Sequence, residues 1–166
     1  ISKAESFSEH LNKYNVIHIN MVEFLSYGKD INEILEYLVR HILRELKKEY
    51  HDVDCFDWNN LIFVLEEIFY EKKKAFIFII DEWDCIFRKR KHDKESQTVY
   101  LDFLRNLLKD HSYVALAYMT GILPIKKYGE HSAINMFTEI SMISAREYKE
   151  FTGFIEDEVN ELCEKY

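Results

Sequence analysis

The sequence predicts an α/β fold, a three-layer αβα sandwich with a mainly parallel sheet. Strand-like and helix-like segments alternate along the chain, which favours parallel strands joined by helical crossovers. Residues 76–80 are continuously apolar, with β-branched and aromatic side chains, as expected of a buried strand. The chain has 166 residues and 48% hydrophobic content, enough for one domain with a substantial core. We therefore expect residues 1–166 to form a single domain.

Capping residues and apolar spacing predict the elements of the first half. Ser2 begins a short helix reaching about Asn12, and a strand follows at 14–20. Asp30 caps the most regular helix, whose apolar positions are Ile31, Ile34, Leu35, Leu38, Ile42 and Leu46. Asp57 is expected to cap the next helix, whose inward side carries Leu61, Val64, Leu65, Ile68 and Phe69.

The second half is predicted in the same way. The strand at 76–82 is followed by a helix from about Ser96 to Asp110. A second buried strand is expected at 113–119, ending at Thr120. The sequence further predicts an irregular stretch at 122–137, a short strand at 138–143, a helix beginning at Ser144 and a last helix at 156–166.

The formal net charge of -8 argues against a protein whose whole surface binds nucleic acid. A local basic segment, residues 88–92, is expected to be a solvated, mobile loop because acidic residues follow it and no aromatic residue interrupts it. No apolar run approaches the roughly 20 residues that span a bilayer, and the first residues, Ile1 to Glu5, do not form the apolar h-region of a signal peptide. We expect a cytoplasmic protein with no membrane partner and with reduced cysteines.

Two adjacent acids, Asp81 and Glu82, follow the apolar run. Ligands of open α/β sheets bind beyond the carboxyl ends of the strands. In nucleoside-triphosphatases this arrangement is the Walker B motif, in which the first acid holds Mg²⁺ and the second polarises the attacking water. The same pair is also compatible with a solvated turn or a helix N-cap.

Three segments, in this order, resemble the bacterial AAA-ATPase-like family of P-loop nucleoside-triphosphatases. The first is Ile79-Ile80-Asp81-Glu82-Trp83-Asp84. The second is Tyr118-Met119-Thr120-Gly121-Ile122, with Ser132-Ala133-Ile134-Asn135-Met136-Phe137 after it, and the third is Phe151 to Val159. Met136 and Ile155 depart from the family pattern, in which an asparagine and a helix-capping threonine occupy these positions. The resemblance implies a P-loop ATPase that binds ATP and Mg²⁺.

The resemblance also implies roles for four residues. Asp81 would hold Mg²⁺, Glu82 would orient or activate water, and Thr120 would sense the γ-phosphate. Asn135 would shape the loop beside the nucleotide. Without the family, Thr120 is explained equally well as a strand-ending residue and Asn135 as a turn former.

The phosphate-binding loop G-x-x-x-x-G-K-[ST] does not occur in these 166 residues. In the family it precedes the segments above, on a strand beside the one ending at Thr120, so we expect this chain to be the Walker B and sensor portion, beginning downstream of the loop. By itself it is then expected to hydrolyse no ATP, to hold no nucleotide or Mg²⁺ tightly, and to self-associate through an exposed sheet edge. Nucleic acid would be an indirect target, through a nuclease-like domain that this chain lacks.

Two other functions compete with this interpretation. One is a non-catalytic α/β interaction module with a degenerate nucleotide site, in which Asp81 and Glu82 cap a helix. The other is a metal-dependent phosphohydrolase using Asp81, Glu82 and Asp84. The second needs further carboxylates at strand ends, where Asn20 and Thr120 stand instead.

Overall fold

A computed structural model describes residues 4–124, 137–141 and 154–166. The chain divides into two compact units, Ile1–Ile134 and Asn135–Tyr166. The first unit contains three parallel strands in the order β1-β2-β3: β1 (Asn15–Asn20), β2 (Phe76–Asp81) and β3 (Val114–Met119). This all-parallel sheet, flanked by helices, confirms the α/β prediction.

Helices connect the strands, as parallel pairing requires. Their bounds are α1 (Phe7–His10), α2 (Met21–Phe24), α3 (Ile31–Glu49), α4 (Leu61–Lys72), α5 (Cys85–Lys89) and α6 (Lys94–Leu108). The short helices α2 and α5 were not predicted, and α1 is shorter than the expected helix. No helix in the described part of the chain is long and apolar enough to cross a membrane.

The predicted helix after Asp30 is confirmed as α3. The Asp30 carboxylate accepts hydrogen bonds from the backbone N–H groups of Asn32 (2.9 Å) and Glu33 (3.0 Å). All six apolar residues expected to face inward on this helix are buried. A capped helix with one buried stripe therefore follows directly from the sequence pattern.

The expected cap of α4 is wrong. Asn60, not Asp57, precedes the helix, and its side-chain oxygen accepts from the backbone N–H of Phe63 at 3.2 Å. Asp57 instead accepts from the backbone N–H of Asn59 at 2.9 Å, within the preceding turn. Aspartate and asparagine both accept hydrogen bonds from the unpaired N–H groups at the start of a helix. The sequence pattern therefore does not show which of the two residues, three positions apart, is the cap.

The helix α6 begins two residues before the predicted position. Asp93 caps it by accepting from the backbone N–H of Ser96 at 3.0 Å. The sequence predicts an apolar stripe of five residues on this helix: Tyr100, Leu104, Leu107 and Leu108 are buried, whereas Phe103 is only half-buried. The preceding basic segment is partly ordered by specific contacts, which are described below.

The two predicted core strands differ in their surroundings. On β2, Phe76, Phe78 and Ile80 are buried on one face, and the opposite face is half-buried. The expectation of a buried strand is wrong for β3, where Leu116 and Tyr118 are each 53% exposed. The physical reason is position, because among the described residues β3 lies at the end of the sheet and pairs with β2 alone.

The second unit contains one described helix, α7 (Glu156–Lys165), close to the predicted bounds. Ile155 precedes it without a side-chain cap, and its backbone N–H donates to Glu158 at 3.0 Å. The strand expected at 138–143 is not present in residues 138–141. Residues 142–143 of that strand and the helix expected from Ser144 lie outside the described residues.

Candidate functional site

The carboxyl ends of the three strands meet at one edge of the sheet. Asn20 pairs with Asp81 across β1 and β2. Beyond β3, the backbone N–H of Thr120 donates to the carbonyl of Ile80, and the carbonyl of Thr120 accepts from the N–H of Trp83, both at 3.0 Å. These backbone bonds fix the end of β3 against the turn that follows β2.

Asp81 and Thr120 are in direct contact at this edge. The Thr120 hydroxyl donates to Oδ1 of Asp81, and the backbone N–H of Glu82 donates to the same oxygen at 3.1 Å. Within the described residues, no lysine, arginine or histidine forms an ion pair with Asp81. The structure therefore brings together two of the predicted site residues.

Glu82 adopts an unusual backbone conformation. Its φ is 54°, in the left-handed region that costs a non-glycine residue roughly 1 kcal/mol or more. Its carboxylate is directed to Arg88, with which it forms an ion pair through Oε2. The Glu82 carboxylate is thus held by Arg88 on α5, whereas the Glu82 backbone N–H donates to Asp81.

Asp84 is the buried centre of this region. Its side chain is fully buried, and Oδ2 accepts from the backbone N–H of Leu123 at 2.9 Å and of Ile122 at 3.3 Å. Arg88 Nε lies 3.1 Å from the same oxygen, an ion pair in which the N–H does not point along a hydrogen bond. Asp84 therefore joins the chain after β3 to the turn after β2.

Gly121 allows this close approach. A Cβ at this position would lie 2.7 Å from the Trp83 ring and 2.8 Å from Asp84 Oδ1. The Trp83 side chain is buried and stacks obliquely on Phe87 with ring centroids 5.4 Å apart. A side chain on residue 121 would have to displace this packing, so glycine is required beside Thr120.

The helix-cap interpretation of the acidic pair is wrong in this structure. The helix α5 begins at Cys85, and within the described part of the chain neither carboxylate of the pair accepts a hydrogen bond from the first N–H groups of this helix. Asn20 does act as a cap, accepting from the backbone N–H of Val22 at 3.1 Å. The predicted site residue Asn135 lies outside the described residues.

The expectation of a solvated loop at 88–92 is wrong for the two arginines of this segment. Arg88 pairs with Glu82 and Asp84, and Arg90 donates to the backbone carbonyl of Lys29 at 2.7 Å. Sequence reasoning assigned neither arginine. The four-residue spacing of Asp84 and Arg88 was an available signal, because such pairs meet on one side of a helical turn.

Two cavities on the surface of the described residues lie away from the acidic pair. One is a groove lined by Glu66, Tyr70, Asp110, His111 and neighbouring residues, and the other adjoins it at Ile62 and Arg105. Neither is lined by Asp81, Glu82 or Thr120. No group of three or more His, Cys, Asp or Glu side chains that could hold a metal ion occurs in residues 4–124, 137–141 and 154–166.

Two buried titratable groups lie behind the site. Burial raises the pKa of the Cys85 thiol to about 11, although the nearby Arg88 acts in the opposite direction. Burial also raises the pKa of Tyr100 well above its ordinary value, and its hydroxyl has no hydrogen-bond partner in the described structure. Both groups are therefore neutral at physiological pH.

Comparison with known protein families matches residues 1–129 to the family described as Predicted AAA-ATPase. Comparison with curated proteins gives no match, and comparison with solved structures gives none. The matched range includes the whole sheet and the turn that contains Asp81 to Arg88.

Proposed function

This chain belongs to the Predicted AAA-ATPase family, and from that premise we propose that it supplies the Walker B and sensor residues of an ATPase site. In this proposal Asp81 holds Mg²⁺, Glu82 activates water, and Thr120 senses the γ-phosphate. The observation that carries it is the contact between the Thr120 hydroxyl and Asp81 Oδ1 at the carboxyl ends of neighbouring parallel strands. This is the edge at which α/β sheets bind ligands.

Asp81 has the chemistry that a magnesium site of this class needs. Mg²⁺ in nucleotide sites is bound by one or two carboxylates together with water and phosphate oxygens, so a cage of three protein ligands is not required. Oδ1 of Asp81 is oriented by two donors, and no basic side chain in the described part of the chain neutralises the carboxylate. When bound with nucleotide, Mg²⁺ would neutralise charge on the phosphates.

Glu82 is the proposed water-activating residue. Its strained φ of 54° is the kind of backbone outlier that occurs at functional sites. Its side chain is 36% exposed and therefore accessible to water at the strand end. Thr120 is positioned by its hydroxyl contact to Asp81 and by the hydrogen bonds of its backbone N–H and carbonyl groups. In this position its hydroxyl would be able to contact a phosphate bound beside Asp81.

Nucleotide binding further requires a phosphate loop, which we propose is supplied from outside these 166 residues by a strand that pairs with β3. The edge of β3 that has no partner strand among the described residues supports this arrangement, since all six residues of β3, Val114 to Met119, are apolar or tyrosine. The other terminal strand, β1, carries Asn15, His18 and Asn20, which makes it a poorer template for pairing. Without that partner, β3 would pair with a second copy of the chain.

The test is magnesium-dependent ATP hydrolysis by the product of the whole open reading frame that encodes this chain. We expect turnover that falls at least ~100-fold in Glu82→Gln and in Asp81→Asn, because general-base and metal-binding groups contribute factors of this size. Glu95→Gln, which alters an exposed acid in the first turn of α6, is the matched control and should retain activity. The 166 residues by themselves should show no turnover.

A non-catalytic interaction module with a degenerate nucleotide site is the alternative. It predicts that neither ATP nor Mg²⁺ changes the stability of the whole protein, and that Glu82→Gln has no biochemical effect. Turnover that persists in Glu82→Gln would rule out the proposed role of this residue. Magnesium-dependent turnover by the 166 residues themselves would rule out an external phosphate loop.

A further inference from the structure

We propose that Arg88 is a positioning residue that restrains the Glu82 carboxylate, and that their ion pair must open before Glu82 can accept a proton from water. The inference rests on the proposed function, because it concerns the residue assigned there to water activation. It follows from two contacts of the Arg88 guanidinium group, with Glu82 and with Asp84, and from the two backbone hydrogen bonds that Asp84 accepts.

Different nitrogens of Arg88 contact the two carboxylates. Nη2 contacts Oε2 of Glu82, and Nε lies 3.1 Å from Oδ2 of Asp84. The planar guanidinium group can serve two acceptors in this way, whereas an ammonium group is a single point charge. Glu82 can therefore leave Arg88 without breaking the contact between Arg88 and Asp84.

The surroundings of the two carboxylates determine which contact is weaker. The side chain of Asp84 is fully buried and also accepts two backbone N–H groups, so removing its cationic partner would leave a buried charge poorly compensated. The Glu82 side chain is 36% exposed, and water can replace Arg88 around it. Arg88 is therefore expected to remain with Asp84 when the contact with Glu82 opens.

The restraint has a chemical consequence for catalysis. A carboxylate oxygen that accepts from a guanidinium N–H has a lone pair engaged and is a weaker acceptor for the proton of an attacking water. The pair thus keeps Glu82 oriented but reduces its capacity as a base. No bond is made or broken in this step; the carboxylate only exchanges a guanidinium donor for a water donor.

The test uses Arg88→Lys in the whole protein, compared with Arg105→Lys as the control. Arg105 has a similar ion pair, 2.8 Å from Asp102 on α6, but is not part of the site. We expect Lys at position 88 to remain with buried Asp84 and release Glu82, which raises kcat about two- to fivefold, the factor associated with losing a partly exposed ion pair. The KM for ATP should change by less than about twofold, since Arg88 contacts no proposed nucleotide ligand.

A second measurement does not depend on ATP hydrolysis. A double-mutant cycle of Arg88→Lys and Glu82→Gln, followed by urea unfolding of this chain, measures their coupling. We expect a coupling of about two- to fivefold in the unfolding equilibrium constant. A merely structural Arg88 would show reduced stability in Arg88→Lys with kcat unchanged or lowered.

The outcomes distinguish failure of this inference from failure of the proposed function. If Glu82→Gln abolishes turnover but Arg88→Lys leaves kcat unchanged or lowers it, only the restraint by Arg88 is wrong. A coupling of zero in the unfolding cycle also overturns it. If Glu82→Gln retains turnover while the coupling is present, the proposed function has failed, and the catalytic meaning of the ion pair fails with it.

Discussion

The Thr120 hydroxyl donates to the Asp81 carboxylate although the two residues are 39 positions apart in the chain. They meet because β2 and β3 are parallel neighbours, so their carboxyl ends reach the same edge of the sheet. This hydrogen bond joins two residues of the candidate site, and its contribution to stability can be measured without nucleotide.

Replacing Thr120 by valine should destabilise the chain by about 1.5 kcal/mol. The change removes the hydroxyl donor but keeps a β-branched side chain, and a hydrogen bond to a charged acceptor contributes roughly 1.5–3 kcal/mol. Urea unfolding measures the effect. Thr98→Val is the control, because its hydroxyl donates to the Lys94 carbonyl on the exposed side of α6, where little loss is expected. Equal losses in both variants would contradict a specific role for the contact.

Asp84→Ala should be far more destabilising than Asp102→Ala. The first variant removes a buried carboxylate and leaves Arg88 and two backbone N–H groups without their acceptor, at a cost of roughly 3 kcal/mol. The second removes one partner of an exposed ion pair with Arg105 and should cost less than ~1 kcal/mol. Chemical denaturation of both variants provides the comparison, and similar values would mean that Asp84 is not the structural centre of this turn.

Gly121→Ala should destabilise the chain by about 1–3 kcal/mol. The added Cβ would lie 2.7 Å from the Trp83 ring, and overpacking of a buried contact has costs in this range. Fluorescence of Trp83, measured with Trp58→Phe to remove the other tryptophan, should shift to longer wavelength as the ring becomes exposed. An unchanged emission spectrum together with unchanged stability would show that the turn has room for a side chain.

Cys85 should be unreactive toward thiol reagents in the folded chain. Burial raises its pKa from 9.0 to about 11, so only about one thiol in a thousand is ionised at pH 8, whereas Cys163 is exposed. Alkylation at pH 8, with peptides identified by mass spectrometry, should modify Cys163 before Cys85. Equal labelling rates in the folded chain would contradict the buried position of Cys85.

The same pKa shift predicts a dependence of stability on pH. Below pH 9 the thiol is protonated in both the folded and unfolded states, and its contribution to stability is fully present. Between pH 9 and about 11 the unfolded state loses the proton first, so the free energy of unfolding falls as the pH rises. The difference between wild type and Cys85→Ala in urea unfolding should follow this window, and a constant difference would contradict the shift.

Self-association through β3 should be concentration-dependent and should be suppressed by Leu116→Lys. A charged residue on an apolar terminal strand opposes edge-to-edge pairing. Val16→Lys on β1 is the control, because Val16 is 59% exposed and Leu116 is 53% exposed, yet β1 already carries polar residues. Sedimentation velocity of the 166 residues measures the effect. Dimers that persist in Leu116→Lys but not in Val16→Lys would place the contact on the opposite edge.

The sequence by itself determined the parallel α/β class, the buried stripe of α3, and the adjacency of an acidic pair and a threonine at strand ends. These features follow from local periodicity, from capping residues and from the rule that parallel strands share one carboxyl edge. The tertiary structure alone decided that Glu82 turns to Arg88, that Asp84 is buried against residues 122 and 123, and that both faces of β3 are partly exposed. Burial and side-chain pairing depend on segments that approach only after the chain folds, and no local pattern within one segment encodes them.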